Sequence, residues 1–174
     1  MNAAESPLLK GLDERLARGV VAGVAAGLLF LLANMWYADS QGLPAVAPLF
    51  DISTIFYFSD QPDPVPVNAA VGLVVHLALS AAFGALIAVF APLFASGRVL
   101  ALGAVGFGLL LYVVNFQVLG RIAFDWFQEG PNQTFEVFAH AGFGLLLVPF
   151  LIGYAGAVQR DRVGSRAQVR GANA

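Results

Sequence analysis

The sequence predicts an all-α polytopic membrane protein that folds as a four-helix bundle. Apolar residues make up 59% of the 174 residues and charged residues only 11%, a composition outside the range of soluble globular domains. Four runs without a charged residue reach the roughly 18 to 20 residues that a helix needs to cross a bilayer; they occupy 19–38, 64–97, 99–120 and 137–159. We therefore expect a single transmembrane domain over 1–174.

Each predicted helix has identifiable ends. The helices should cover about 17–37, 67–91, 99–119 and 135–158, between cytoplasmic tails 1–16 and 159–174. The first run is too long for a secretory leader, and Trp36 and Tyr37 disfavour a small-residue cleavage site, so this helix is expected to be retained. The second run exceeds one span, but Pro66 can open a helix in its first turn and Pro92 can close it.

Basic residues predict that both termini lie in the cytoplasm, because Lys and Arg favour that side of short loops. The basic residues of this side are Lys10, Arg15, Arg18, Arg98, Arg160, Arg162, Arg166 and Arg170. The opposite side carries Asp39, Asp51, Asp60, Asp63, Asp125, Glu129 and Glu136, with Arg121 as its one basic residue. The expected partners are the lipid bilayer and membrane proteins or further copies of this chain, and no nucleic acid. The absence of cysteine excludes disulfides and thiolate metal sites.

The connection 40–66 is apolar in its middle and predicts a short helix in the outer membrane interface. Asp51 or Ser53 is expected to cap the start of this helix. An interfacial anchor explains the aromatic residues around Tyr57 most simply. An apolar lid over the mouth of the bundle is the alternative.

Similar residues recur in the two halves of the chain. Gly27 and Asn34 in the first helix have the same spacing as Gly108 and Asn115 in the third. The second and fourth helices each carry one histidine followed by a Phe-Gly pair. Because the first and third helices run in the same direction, the halves would be two parallel two-helix repeats. Compositional resemblance between apolar helices is the competing explanation.

Small residues recur at intervals that place them on helix-packing faces. The residues predicted to pack helices together are Gly19, Gly23, Gly27, Gly72, Ser80, Gly84, Gly108 and Gly144. Lipid provides no hydrophobic drive for helices to associate, so close backbone approach and interhelical hydrogen bonds must hold such a bundle.

Polar residues concentrate in the outer half of the predicted helices, which suggests a polar pocket open to the outer face. The candidate pocket residues are Glu136, His140, His76, Asn34, Asn115, Asn68 and Tyr112. The cytoplasmic half is almost wholly apolar. This distribution fits a closed-ended pocket better than a continuous pore.

Glu136 and His140 are four residues apart and share a helix face. Three interpretations remain open for them. The pair could titrate together and couple protonation to solute movement or conformational change. His140 and His76 could instead bind a metal or a b-type haem iron, with Glu136 orienting the imidazole. In the third interpretation, Glu136 faces water and each histidine simply hydrogen-bonds a neighbouring helix.

Enzymatic activity is not expected, because the chain has no nucleophile elbow and no zinc-protease motif. The segment from His76 through Phe83-Gly84, together with His140-Ala-Gly-Phe-Gly, resembles the small, uncharacterised four-helix inner-membrane proteins found widely in bacteria. The resemblance implies a multi-pass protein of the bacterial inner membrane and offers no established activity.

The expected function is that of a small-solute or proton-coupled transporter or sensor with an outward-facing polar pocket, and no cofactor is expected for it. One alternative is a haem- or metal-bearing electron-transfer subunit that uses His76 and His140. Another is a structural or assembly subunit of a membrane complex.

Overall fold

The computed structural model describes residues 9, 11–59, 61–160 and 163–164, and all regular structure among them is helical. The elements are α1 Leu12–Ser40, α2 Ala47–Tyr57, α3 Pro66–Phe90, α4 Gly97–Tyr112, a π-helical segment Val113–Leu119, α5 Gly120–Ile122, α6 Trp126–Glu129 and α7 Gln133–Leu151. Short 3₁₀ turns follow α3 at Ala91–Leu93 and α7 at Ile152–Tyr154. Predictions for Lys10, Asp60, Arg162, Arg166, Arg170 and most of both tails fall outside the described residues.

Among the described residues, four helical stretches are long and apolar enough to cross a membrane: Leu12–Ser40, Pro66–Leu93, Gly97–Ile122 and Gln133–Arg160. The predicted all-helical architecture with four helices able to span a membrane is confirmed. The first helix begins at Leu12 and not near residue 17. Its extra turn is polar, and an ion pair of 3.0 Å between Glu14 and Arg18 supports it at the favourable i,i+4 spacing.

The ends of the other spans follow local signals. Pro66 occupies the first turn of α3, and Pro92 lies in the 3₁₀ turn that terminates it. The Ser96 hydroxyl accepts a hydrogen bond from the Val99 amide at the start of α4, and the Asn132 side chain does the same for the Phe135 amide at the start of α7. Such caps satisfy amides that have no partner within the helix.

The helices pack as two antiparallel pairs, α1 with α3 and α4 with α7. A methyl group on Gly23 would overlap the carbonyl of Ser80. In the other pair, a methyl group on Gly108 would overlap the carbonyl of His140 and one on Gly144 would overlap that of Ala104. Only glycine permits backbones to approach this closely.

The two pairs meet where α1 packs on α7. Because α1, α3, α4 and α7 alternate in direction, the bundle has an acidic end with Asp39, Asp51, Asp63, Asp125 and Glu129 and a basic end with Arg15, Arg18, Arg98 and Arg160. The buried apolar core, which includes Ala22, Ala88, Leu100, Leu147 and Leu151, lies mostly toward the basic end. Most of the buried polar side chains lie in the other half of the bundle, toward the acidic end.

The helix α2 packs against α3, with Leu49, Ser53 and Thr54 buried. The predicted cap at Asp51 or Ser53 is wrong: α2 starts at Ala47, and both residues lie within it. Pro48 in the first turn explains the earlier start, since its fixed φ suits that position.

Gly72, predicted to pack membrane helices together, meets α2. A methyl group on it would overlap the Leu49 carbonyl. The segment between the first two spans is therefore seated on the bundle through one face, and its aromatic residues Phe56, Tyr57 and Phe58 are exposed on the other.

Candidate functional site

Glu136 and His140 form a buried pair near the acidic end of α7. Nδ1 of His140 lies 3.5 Å from a carboxylate oxygen of Glu136, and the two side chains are only 7% and 5% exposed. The same nitrogen lies 2.8 Å from the main-chain carbonyl oxygen of Glu136. Since a carbonyl can only accept, Nδ1 carries the hydrogen, and Nε2 is left as the position for a second proton.

Aromatic rings from three elements surround the His140 imidazole. Their centroids lie 4.9 Å away for Phe30 of α1, 5.9 Å for Tyr112 of α4 and 5.5 Å for Phe116 of the π-helical segment. All three rings meet the imidazole edge to face, an arrangement that aromatic groups prefer over a face-to-face sandwich. The pair thus has an enclosed, weakly polar environment.

His76 has a different role in packing. Its Nε2 donates a hydrogen bond of 2.8 Å to the carbonyl of Gly27 on α1. Its ring also stacks on Phe30 at 5.8 Å with an interplanar angle of 22°. Phe30 is therefore in contact with both imidazoles, and His76 ties α3 to α1.

This arrangement bears on the predicted metal or haem site at His76 and His140. Each imidazole keeps one ring nitrogen, Nδ1 of His76 and Nε2 of His140, that is not hydrogen-bonded to a main-chain carbonyl, and the Phe30 ring contacts both imidazoles. Among the described residues, no group of three or more His, Asp or Glu side chains is placed to hold a metal ion. A site made by the two histidines alone stays a prediction.

A chain of hydrogen bonds runs from Tyr112, whose ring contacts His140, to the surface of the acidic end. The Tyr112 hydroxyl donates to the Gln133 side chain at 2.9 Å, and Gln117 donates to the same hydroxyl at 2.9 Å. The exposed Arg121 donates to Gln117 at 3.1 Å. Gln117 follows Tyr112 by five residues, the spacing that a π-helical turn aligns. Departures of this kind within α-helices occur often at functional sites.

The remaining candidate pocket residues are spread over separate places. Asn34 donates to the carbonyl of Phe30 at 3.1 Å, and Asn115 lies half-buried in the π-helical segment. Asn68 is buried beside α2, where it donates to the carbonyl of Asp63 at 2.8 Å. The structure thus brings Glu136, His140 and Tyr112 together, with His76 across Phe30, and places Asn68 in different surroundings.

The predicted outward-open pocket is closed over the buried pair. A cavity of about 350 Å³ lies between α2 and the start of α3, and a groove of about 610 Å³ lies at the basic end beside Arg98 and Ile152. Glu136 and His140 line neither of them. The pair would have to be uncovered for a solute to reach it.

Two segments close the acidic end: α2 and the connection that contains α6. The indole of Trp126 donates a hydrogen bond of 2.7 Å to the Thr54 hydroxyl of α2. Ile55 of α2 packs on the aromatic cluster of Phe116, Phe124 and Phe127.

Asp51 lies half-buried in α2. The pKa of its carboxyl group is raised to about 6 because burial disfavours the charged form. The helix α2 thus carries an acid that titrates near neutral pH.

Several residues of this site had no clear signal in the sequence. Phe30 and Phe116 lie in uninterrupted apolar runs, where nothing distinguishes a ring beside a histidine from one facing lipid. The bond between Trp126 and Thr54 joins positions 72 residues apart. Gln133 could have been found, because it precedes Glu136 by one turn and His140 by two and so shares their helix face.

No family model, curated protein or solved structure matches the chain.

Proposed function

We propose that this protein is a proton-responsive integral membrane protein, a small transporter or sensor, in which Glu136 and His140 take up a proton from the acidic-end side. The observation that supports this proposal most is the buried pair itself. A carboxylate and an imidazole at 3.5 Å, both nearly inaccessible, lie within a span that is otherwise apolar. Ionisable groups placed in this way inside membrane helices are unfavourable unless paired, and they commonly mark proton or substrate sites.

Protonation would change the bonding of the pair in a defined way. In the neutral state Nδ1 donates to the main-chain carbonyl, and the carboxylate is more distant. A proton on Nε2 makes the imidazole a cation beside the carboxylate, so the side-chain ion pair strengthens relative to the main-chain bond. Phe30, Tyr112 and Phe116 contact the imidazole. A shift of the ring is therefore passed to α1, α4 and the π-helical segment.

A shift of the His140 ring would next affect α6 and α2, the segments that close the acidic end. Phe116 packs directly on Phe127 at 4.8 Å, and Phe127 stacks on Trp126 at 3.8 Å. Trp126 holds α2 through Thr54. In our proposal, protonation of His140 displaces Phe116 and thereby loosens this contact between Trp126 and α2.

We further propose that the basic end faces the cytoplasm and the acidic end the outer side of a bacterial inner membrane. The four arginines at the basic end, Arg15, Arg18, Arg98 and Arg160, support this orientation. Both termini would then be cytoplasmic. The resemblance to bacterial four-helix inner-membrane proteins supports the choice of membrane.

The contact register supports two parallel repeats. In the first pair, Gly27 lies against His76 and Ser80. In the second pair, Gly108 lies against His140 and Gly144. This register makes the two histidines equivalent, and only the second has a carboxylate four residues before it. We infer that the first half retained the packing role and the second acquired the proton site.

Tryptophan fluorescence of protein in lipid vesicles tests the proton response. Trp36→Phe leaves Trp126 as the single reporter, and Asp51→Asn removes the α2 acid whose pKa is raised to about 6. We expect the emission of Trp126 to change as the pH falls from about 8 to about 5, the range in which histidine charge changes. His140→Gln and Glu136→Gln should abolish the change.

His76→Gln is the matched control, because it removes the other buried imidazole. It should keep the response. An unchanged titration in His140→Gln would contradict the proposal. Vesicles carrying a pH gradient then separate the two forms of the function: a transporter dissipates the gradient, and a sensor changes its emission without doing so.

A further inference from the structure

The cavity at the acidic end is separate from the buried pair and is partly open to the surface. It holds about 350 Å³ between α2 and the start of α3. The polar residues that line it are Ser53, Thr54, Tyr57, Ser59, Gln61, Asp63 and Asn68. Ser53 and Thr54 are 1% and 2% exposed and Asn68 is 8% exposed, so the inner wall belongs to the packed protein.

Three hydroxyl hydrogens of this lining are used within the protein. Ser53 donates to the carbonyl of Phe50 at 2.6 Å, Thr54 to that of Asp51 at 2.7 Å, and Ser59 to that of Gln61 at 3.0 Å. A hydroxyl has one hydrogen and two lone pairs, so toward a ligand these three oxygens can only accept. They suit a molecule that supplies hydrogen-bond donors or positive charge, although the Tyr57 hydroxyl and the Gln61 amide can also donate.

Asn68 adds a further acceptor. One of its N–H groups donates to the carbonyl of Asp63 at 2.8 Å. Its Oδ1 accepts no hydrogen bond from the residues that the structure describes, so it remains available as an acceptor.

Charge and aromatic character point to the same class of ligand. Asp63 contributes a carboxylate to the rim, and Tyr57 contributes an aromatic ring that is 47% exposed. The described residues of the lining include no lysine or arginine. A carboxylate beside an aromatic ring is the combination that recognises organic ammonium groups through ion pairing and cation–π attraction.

We propose that this cavity binds a small organic ammonium compound, held by the Asp63 carboxylate, the Tyr57 ring and the oxygens of Asn68 and Ser53. An inorganic cation is a poorer fit, because the part of the lining that the structure describes supplies one carboxylate beside an aromatic residue. Thr54 belongs both to this lining and to the contact with Trp126. Binding is therefore measured at one fixed pH, without titrating His140, so that its failure is distinct from a failure of the proton response.

Calorimetric titration of the purified full chain in nanodiscs with choline tests the proposal directly. We expect saturable binding at about 10 mM or below, as for a weak small-ligand site. The matched neutral probe is 3,3-dimethyl-1-butanol, which has the shape of choline without its charge, and calcium chloride is the inorganic arm. Both should bind at least tenfold more weakly than choline.

Two substitutions locate the site. Asp63→Asn should weaken choline binding by about tenfold, the usual effect of losing a charge-assisted contact. Tyr57→Leu should weaken it by about fivefold, whereas Tyr57→Phe, which retains the ring face, should bind as the parent does. Asp39→Asn removes an exposed charge from the same end without touching the cavity and should leave the affinity within about twofold.

Each possible result of these titrations either supports or overturns the choline site. Choline binding that Asp63→Asn and Tyr57→Leu weaken and Asp39→Asn spares supports the site. Equal binding of the neutral probe, preferential binding of calcium, equal loss in Asp39→Asn, or no binding of choline would each overturn it. Tyr57 is largely exposed, so Tyr57→Leu keeps the test usable if Asp63→Asn fails to fold.

Discussion

Phe30 decides how the two histidines relate to each other. The Phe30 ring stacks on the His76 ring with their centroids 5.8 Å apart. It meets the His140 ring edge to face with a centroid distance of 4.9 Å. The Phe30 ring thus contacts both imidazoles. Each histidine acts with its own partner, Gly27 for His76 and Glu136 for His140.

The Tyr112 hydroxyl is predicted to stabilise the acidic end through its bonds to Gln133 and Gln117. Tyr112→Phe keeps the ring beside His140 and leaves both glutamines with one partner fewer. We expect a loss of about 1 kcal/mol in the free energy of unfolding, measured by denaturation in mixed micelles. Tyr37→Phe is the control, since the Tyr37 ring stacks on Phe135 at 4.2 Å and should retain that contact. Equal losses in the two variants would contradict a specific role for the Tyr112 hydroxyl.

Asp51 predicts a pH-dependent stability of the seated α2. Burial raises its pKa from an ordinary value of 3.8 to about 6. The folded protein therefore binds this proton more tightly than the unfolded chain does. The stabilisation is fully present below about pH 3.8 and is lost as the pH rises through about 6. The total change is at most about 3 kcal/mol.

The measurement is the difference in unfolding free energy between the parent and Asp51→Asn at several pH values. Asp51→Asn should be the more stable protein near pH 7.5, and its advantage should shrink as the pH falls toward 4. Asp39→Asn, an exposed change at the same end, should keep the slope of the parent. A constant difference between parent and Asp51→Asn across this range would show that burial of Asp51 does not govern the stability of α2.

Glycine contacts between helices predict which small residues cannot be replaced. On α4, a methyl group at Gly108 would overlap the His140 carbonyl, whereas one at Gly106 meets nothing within 4 Å. Gly108→Ala should separate α4 from α7 and cost about 2 kcal/mol or more, an overpacking effect. Gly106→Ala should be neutral or stabilising by up to about 1 kcal/mol, because alanine is the better helix former.

The same denaturation series measures both variants. Because α4 and α7 also position Tyr112 and His140, Gly108→Ala should disturb the Trp126 pH response and Gly106→Ala should not. Two equally tolerated alanines would mean that the close approach of α4 to α7 is not needed for stability.

The contact between α2 and α6 is the least expected feature among the elements. Aromatic and apolar residues in 40–66 predicted an interfacial helix, and a helix is present at Ala47–Tyr57. Periodicity could not show that Thr54 faces Trp126, because that contact depends on how two connections fold over the same end. The π-helical segment Val113–Leu119 was not predicted either. Its residues look like an ordinary apolar helix, and only packing reveals the wider turn.

Across the whole molecule, the sequence was most informative about the number and position of the spans. Hydropathy and length are local properties, and Pro66 and Pro92 mark helix ends through their own backbone restrictions. The spacing of Glu136 and His140 correctly indicated a shared face. Polar residues on different helices were harder to group: Asn68 and Glu136 lie at the same end, yet α2 gives Asn68 a cavity of its own.

The distribution of polar groups also organises the molecule. The apolar core toward the basic end holds α1, α3, α4 and α7 together, while the buried pair and the polar cavity lie toward the acidic end. Phe30 joins the two regions, because it packs against this core and also contacts the His140 imidazole.

Nitrogen NMR of the His140 side chain, recorded in lipid on the His76→Gln variant, tests the proton response most directly because only one imidazole remains. We predict that Nδ1 is protonated throughout, that Nε2 gains a proton when the pH is lowered, and that Trp126 emission changes over the same pH interval. An imidazole that stays neutral at every pH at which the protein remains folded, or one that gains a proton while Trp126 is unaffected, would contradict the proposal that Glu136 and His140 control the closure of the acidic end.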